Sequence, residues 1–286
     1  METKEITRTR GGAFLLQETH PENVFTPEDF SEEQRMMRDA VKEFIDREVW
    51  PNKHRFEQKD YDFTFELMRK AGELGFLGIG VPEAYGGLEM GFVSTMLVCD
   101  YFSGATGSLS TAYGAHTGIG IMPIVLYGTE EQKQKYVPKL ASGEEIGCYC
   151  LTEPGAGSDA NSGKTKAVLS DDGTHYKISG QKIWISNAGY ASVMIVFARI
   201  EDDKNITGFI VPYDPENGII LGEEEHKLGI HASSTRQVFF TNTKVPVENM
   251  LSERGNGFKI AMNALNVGRI KPVSYTHLTL PTTLVV

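Results

Sequence analysis

Two short segments carry hydroxyls, glycines and an aromatic ring at spacings that suit a bound cofactor. Residues 149–159 read YCLTEPGAGSD, and residues 184–186 read WIS. The first segment begins as an apolar strand and then turns at a proline and two glycines, which leaves backbone N–H groups uncovered for an anionic pyrophosphate. The hydroxyls of Thr152 and Ser158 can each donate or accept a hydrogen bond. The second segment adds an aromatic plane and another hydroxyl, so together they predict a cradle for a flat, anionic cofactor.

A family resemblance supports this prediction. Residues 150–162 match the acyl-CoA dehydrogenase signature position by position: small, aliphatic, Ser/Thr, Glu, two free, small, Gly, Ser/Thr, Asp, two free, small. The sequence is similar to this family over roughly residues 25–271, in the family's order. Further matching segments are 81–87 (VPEAYGG), 127–133 (YGTEEQK), 180–187 (GQKIWISN) and 227–229 (KLG). The resemblance implies FAD as cofactor and an acyl-CoA thioester as substrate.

The resemblance also implies which residues hold the cofactor. They are Tyr149, Cys150, Leu151, Thr152, Gly157, Ser158, Trp184, Ile185 and Ser186. The Thr152 hydroxyl would bind the N1/O2 edge of the flavin, where negative charge develops on reduction. Trp184 would pack on the ring, and Ser186 would contact its N5 atom. The alternative interpretation is that the first segment is simply a glycine-rich turn at the end of a strand, without a role in cofactor binding.

The substrate residues implied by the resemblance are Ser158, Asn266 and Arg269. In the family an acidic residue three positions before this arginine meets the CoA moiety or a neighbouring subunit's cofactor, and Asn266 takes that position here. Some branches carry the catalytic glutamate directly before the arginine, where this sequence has Gly268. We therefore assign no catalytic residue and expect the base from further C-terminal helices.

Two other titratable residues have structural interpretations. By resemblance, Glu153 belongs to the framework of the cradle and is not the base. His116 is expected on a helix that walls the acyl pocket, where a hydrogen-bonded core histidine is favoured over a catalytic one. The spacing Cys148-x-Cys150 puts both thiols on one face of a strand, but no histidine or third cysteine is nearby in sequence, so we expect no metal site.

Composition narrows the function classes. The 286 residues carry a net charge of −10, which argues against nucleic acid or an anionic membrane as the main partner. Three cysteines without a disulfide framework are consistent with a reducing compartment. No segment has the length of a membrane span, and the N-terminus lacks a secretory apolar region. We expect a cytoplasmic protein.

Periodicity predicts an α+β protein: an all-α N-terminal domain, a small antiparallel β-barrel or sandwich, and the start of a C-terminal helical domain. The predicted domains are residues 28–145, 146–250 and 251–271. Helices are predicted from Ser31, which forms a capping box with Gln34, over about 63–74, 90–103, 108–127 and 130–140, and from near Gly257. Strands are predicted at 165–169, 175–179, 193–200, 207–212 and 237–241, and Asp172-Gly173 predicts a hairpin between the first two. Residues 272–286 have no acidic residue and no helical period, so we expect a non-native tail there.

The favoured function is a dehydrogenase that passes electrons to an electron-transferring flavoprotein. Full-length relatives are commonly homodimers or homotetramers, and the same is expected of a longer form of this chain. Two alternatives remain at this point. One is an acyl-CoA oxidase of the same fold; the other is a non-catalytic fragment that binds flavin or acyl-CoA, because the expected catalytic glutamate is absent from this chain.

Overall fold

The computed structural model describes residue 9 and residues 11–269, in which an α-helical domain precedes a β domain. The helices are α1 (Glu32–Phe44), α2 (Lys53–Glu57), α3 (Tyr61–Glu73), α4 (Gly91–Ala105), α5 (Gly107–Gly114), α6 (Met122–Tyr127), α7 (Glu130–Ala141) and α8 (Gly257–Gly268). The strands are β1 (Gly147–Cys150), β2 (Lys166–Leu169), β3 (His175–Ser186), β4 (Val193–Ile200), β5 (Thr207–Pro212), β6 (Ile219–Glu224), β7 (Thr235–Pro246) and β8 (Met250–Leu251). The predicted tail lies outside the described residues, and the predicted domain limits stay predictions.

Local sequence signals set the ends of the first helices. The Ser31 hydroxyl accepts from the Gln34 N–H, and the Gln34 amide oxygen accepts from the Ser31 N–H, which is the predicted capping box of α1. Helix α3 ends where Gly75 adopts a left-handed φ of 80°. Its N–H donates to Gly72, and the next N–H donates to Ala71, so the orphan carbonyls of the last turn are satisfied.

The helix predicted over 108–127 is divided into three parts. After α5 the chain forms a π-helical turn, Ala115–Gly120, and Pro123 then stands in the first turn of α6. A Cβ on Gly120 would lie 3.0 Å from the backbone of Gly147, so only glycine permits this approach. The π-turn therefore packs directly on β1 and joins the two domains.

Seven of the eight described strands follow the order β6-β7-β3-β2-β4-β5-β8, and the eighth, β1, pairs with β4. The β2–β3 hairpin forms as predicted around Asp172-Gly173, and most pairs are antiparallel. Both β1 and β2 pair with β4 in parallel, so the sheet is mixed. The predicted α+β order of helical domain, small β domain and a further helix is confirmed.

Two strands are longer than predicted because they pair with each other. β3 continues to Ser186, and β7 covers Thr235–Pro246, with register shifts near Gly180 and between Lys182 and Ile185. The segment 184–186 is thus the last part of β3. Strand β6 was not predicted, because its glycine and glutamates resemble a loop until β7 pairs with them.

A shared apolar layer fixes β1 between helices and sheet. Tyr149 of β1 and Leu151, just after the strand, pack in one buried cluster with Tyr136 of α7 and Ile260 of α8. Cys148 faces the opposite side, inside the core of the β domain. This alternation follows from the period of two in a strand. It places the end of β1, where the cradle begins, at the junction of the helices and the sheet.

Candidate cofactor and substrate site

The two segments singled out in the sequence are joined by hydrogen bonds. The Ile183 N–H donates to the Thr152 carbonyl oxygen at 2.9 Å. The Lys182 ammonium donates to the Leu151 carbonyl at 3.1 Å and to Glu153 Oε1 at 2.7 Å. The end of β3 is therefore tied to the end of β1, and the predicted cradle is one connected unit.

Glu153 is a framework residue of this unit. It is 6% exposed, its partner Lys182 is 1% exposed, and backbone N–H groups of Lys164 and Thr165 also donate to the carboxylate. Burial by itself raises the pKa of Glu153, but the ammonium and these hydrogen bonds outweigh it and hold the pKa below the ordinary value. A carboxylate so stabilised is a poor proton acceptor, which confirms the structural interpretation of Glu153.

Trp184 presents an aromatic plane to the surface from a strained backbone. Its φ is 57°, and its side chain is 64% exposed. The residue lies in a β-bulge, where the register against β7 shifts between Lys182 and Ile185. Bulky residues rarely adopt the left-handed region, and such strain clusters at functional sites. Trp184 directly follows Ile183, whose N–H binds the Thr152 carbonyl, and its indole is exposed to solvent.

The loop after β1, where the sequence predicts a pyrophosphate site, is open at its two glycines. A Cβ on Gly155 or Gly157 would meet no atom within 4 Å. Ser158 is exposed, while Thr152 and Ser186 are half-buried. Across the described chain, the hydroxyls of these three residues make no hydrogen bond, so each is available to a ligand.

Three other predicted cofactor residues direct their side chains away from the cradle. The Tyr149 ring packs edge-on against Phe197, with 5.0 Å between the centroids. Cys150 Sγ lies 3.9 Å from Cys148 Sγ inside the β core, and Ile185 is 2% exposed. Cys150 and Ile185 can therefore contribute only backbone groups. Among the described residues no group of three or more His, Cys, Asp or Glu could hold a metal ion.

A cavity of about 320 Å³ opens beside the end of β3. It is lined by α4, α5, the π-turn and the end of α8, and its surface is mainly apolar. The cavity brings Ser186 together with Arg269, which are 83 positions apart in sequence, and Gly268 also lines it. No carboxylate or histidine occurs among its described lining residues. Its volume lies at the lower end of the range for small-molecule sites.

Arg269 and Asn266 lie together at the end of α8. Both are exposed, and Arg269 Nη1 donates to Asn266 Oδ1 at 3.2 Å. Ser158 is on the separate loop after β1 and does not line this cavity. The structure thus pairs two of the three predicted substrate residues.

His116 is a fully buried histidine with both ring nitrogens engaged. Nδ1 accepts from the Gly147 N–H at 3.0 Å, and Nε2 lies 2.9 Å from the Leu140 carbonyl, to which it donates. The ring therefore joins the π-turn to β1 and α7. The expectation of a hydrogen-bonded core histidine is confirmed.

Two residues that organise the site were quoted in the sequence motifs but given no role. Lys182 occupies an inward position of β3, in line with the buried Tyr176 and Ile178. A lysine at such a position signals a buried partner. Asn187 follows Ser186 with a φ of 67° and is fully buried. Its partners are Tyr190 in the same turn, Ala112 of α5 and Ser234 just before β7, and the last two are distant in sequence.

The fold defines a helical domain followed by a β domain, with a candidate cofactor site at the junction of helices and sheet. The chain belongs to the acyl-CoA dehydrogenase family. Family models match the acyl-CoA dehydrogenase N-terminal domain over residues 31–144 and the acyl-CoA dehydrogenase middle domain over residues 148–243.

Individual relatives agree with this assignment. A probable acyl-CoA dehydrogenase of Bacillus subtilis is 46% identical over 95% of this chain and 45% of its own length. The crystal structure of an acyl-CoA dehydrogenase complexed with FAD from Bacillus anthracis has a TM-score of 0.89 and 46% identity, over 94% of this chain and 46% of its own. An acyl-CoA dehydrogenase from Geobacillus kaustophilus has a TM-score of 0.81 and 34% identity, over 88% and 67%. This chain spans less than half the length of the first two.

Proposed function

We propose that this chain supplies the FAD cradle of an acyl-CoA dehydrogenase, which converts an acyl-CoA thioester to trans-2-enoyl-CoA. The observation that carries the proposal is the hydrogen bond from the Ile183 N–H to the Thr152 carbonyl, which ties the segment that holds the Thr152 hydroxyl to the strand that holds the exposed Trp184. FAD, when bound, supplies an acceptor for the hydride from the β-carbon. The Bacillus anthracis relative, complexed with FAD, supports this choice of cofactor.

Each free group has a role in this proposal. The Trp184 indole packs against the ring, and the Thr152 hydroxyl donates to its pyrimidine edge, which stabilises negative charge there. Ser186 contacts the ring from the mouth of the cavity. The backbone N–H groups of the glycine loop and the Ser158 hydroxyl bind the pyrophosphate.

The mainly apolar cavity receives the acyl chain, and Arg269 with Asn266 binds the CoA moiety. A general base must lie within hydrogen-bond reach of the proton that it removes. Because the described lining of the cavity has no carboxylate, we propose that the base comes from the C-terminal region of a longer form, beyond these 286 residues. We therefore expect very slow turnover by the 286-residue chain.

The partners are part of the same proposal. We propose an electron-transferring flavoprotein as the electron acceptor. A chain in the structure of the electron transferring flavoprotein of Acidaminococcus fermentans is similar to this one, with a TM-score of 0.81 and 36% identity. A homodimer or homotetramer is proposed for a longer form. No described helix is long and apolar enough to cross a membrane. The three cysteines are buried and free, in keeping with the proposed cytoplasmic location.

Flavin titration tests the cradle directly. Replacing Trp50 by Phe leaves Trp184 as the sole tryptophan, and we expect added FAD to quench its fluorescence and to remain with the protein as a visible absorbance band. Trp184→Ala should weaken FAD binding by roughly tenfold, from the loss of about 1–3 kcal/mol of stacking. A protein that stays colourless at saturating FAD would overturn the proposal.

An oxidase reaction is a second candidate, favoured by one neighbour. The crystal structure of the prolyl acyl carrier protein oxidase AnaB has a TM-score of 0.79 and 28% identity over 87% of this chain. Peroxide released in air by a longer, catalytically complete form, after reduction by acyl-CoA, would favour the oxidase. Flavin that stays reduced until an electron-transferring flavoprotein is added would favour the dehydrogenase.

A further inference from the structure

Asn187 connects the cradle to the wall of the cavity. It directly follows Ser186, and its Nδ2 donates to the Ala112 carbonyl of α5 at 2.9 Å. Its Oδ1 accepts from the Tyr190 hydroxyl at 3.0 Å, and its backbone N–H donates to Ser234. A carbonyl oxygen can only accept, so Ala112 requires the NH₂ side of the amide, and the tyrosine hydroxyl completes the other side.

The position is selective for asparagine. Asn187 is fully buried and has a φ of 67°, a region that asparagine tolerates far better than most residues. A buried amide that lost one of these partners would be left with an unsatisfied polar group. The backbone φ and the side-chain hydrogen bonds therefore both favour asparagine at position 187.

The carbonyl that Asn187 binds belongs to α5, the helix that forms one wall of the cavity. Ala112 is flanked on α5 by Ser110, Thr111 and Gly114, which line the cavity with Ser186. Just beyond it, α5 gives way to the π-helical turn, and such turns are frequent at functional sites. A bond at this point fixes the distance between the end of β3 and the helix that faces it.

We propose that Asn187 is a positioning residue that holds Ser186 and α5 at the separation needed for the cofactor and the acyl chain. The inference rests on the proposed function, because this separation matters for the binding of the cofactor and the acyl chain. Asn187 itself is fully buried and is absent from the cavity lining. It acts through its neighbours.

The chain contains a matched control in Asn249. This residue is 2% exposed, its Nδ2 donates to the Ile210 carbonyl at 2.9 Å, and its Oδ1 accepts from the Tyr136 hydroxyl at 3.2 Å. Asn249 thus makes the same two kinds of bond, and it does not line the cavity. Asn249→Ala and Asn187→Gly lose equivalent bonds, and glycine avoids strain at the positive φ of position 187.

The experiment compares FAD affinity and amide hydrogen exchange in the two variants. In Asn187→Gly we expect the Kd for FAD to rise roughly fivefold, the equivalent of one hydrogen bond, and the α5 amides to exchange roughly tenfold faster. In Asn249→Ala we expect both quantities to stay within about twofold of wild type, despite a comparable loss of stability.

Several outcomes decide the matter. Tyr190→Phe, which keeps the bond to Ala112, should give a smaller change in the same direction and provides the test if Asn187→Gly does not fold. Equal changes in the Asn187 and Asn249 variants, or unchanged α5 exchange, would overturn the positioning role. A wild-type protein that binds no FAD would instead refute the proposed function. Amide hydrogen exchange in α5 needs no flavin, so it would still decide whether Asn187 holds the helix.

Discussion

The carboxylate of Glu153 lies 2.7 Å from the ammonium of Lys182, in a buried ion pair that joins the two halves of the cradle. The pair stands behind the surface formed by Thr152 and Trp184, and Lys182 also holds the Leu151 carbonyl. The ion pair therefore has a structural role: it holds the two segments in position. The proposed binding surface depends on a contact that no ligand touches.

Removing one partner of this pair should strongly destabilise the protein. Lys182→Met leaves the Glu153 carboxylate buried without its cation, and we expect the free energy of unfolding in urea to fall by about 3–5 kcal/mol. The exposed pair Lys42–Asp46, 3.0 Å apart, provides a control, and Lys42→Met should leave stability nearly unchanged. Similar results for the two variants would contradict the structural role of Lys182.

The same pair predicts that the free energy of unfolding decreases at acid pH. Because the folded-state pKa of Glu153 is lowered from the ordinary value of 4.5, the unfolded chain takes up its proton first. The contribution of Glu153 is therefore fully present above that ordinary pKa and is lost as pH falls toward the folded-state value. Urea unfolding between about pH 5 and pH 3 should show a shallower loss in Glu153→Gln than in wild type. Parallel curves would show that Glu153 contributes little to this decrease.

The glycine loop should respond to a methyl group only when ligand is present. Gly157→Ala meets no atom within 4 Å, so its stability should match wild type. Its affinity for FAD should fall roughly tenfold or more, because the added Cβ occupies the approach of the pyrophosphate. Gly173→Ala provides the opposite control: at a φ of 69° it should destabilise by about 1 kcal/mol and leave FAD affinity unchanged. Unchanged FAD binding by Gly157→Ala would argue against the proposed pyrophosphate site.

His116 should act through stability and not through chemistry. His116→Leu leaves the Gly147 N–H and the Leu140 carbonyl without their side-chain partner, with an expected loss of about 2–4 kcal/mol in urea unfolding. His116→Asn can keep an acceptor near Gly147 and should lose less. A fully stable His116→Leu protein would refute this role.

Much of the architecture was predictable because it depends on neighbours in sequence. The capping box at Ser31, the hairpin around Asp172 and the mainly apolar strand Val193–Ile200 each formed where predicted. These features have local causes: hydrogen bonds over three residues, a tight turn, and several β-branched side chains close together in sequence. The pattern of glycines and hydroxyls in residues 149–159 is equally local, and the cofactor site that it predicts stays a prediction.

The tertiary structure decided how the parts of the site meet. The full length of β3, the bulge that exposes Trp184 and the bonds made by Asn187 all depend on strands or helices distant in sequence. Pairing with β7 extends β3, and the packing of α5 selects the Asn187 amide. Chain periodicity carries no information on such partners, since a side chain's distant contacts depend on the arrangement of the whole fold. The sequence by itself determined the family and the chemical groups; only folding determined which of them face a ligand and which hold the others in place.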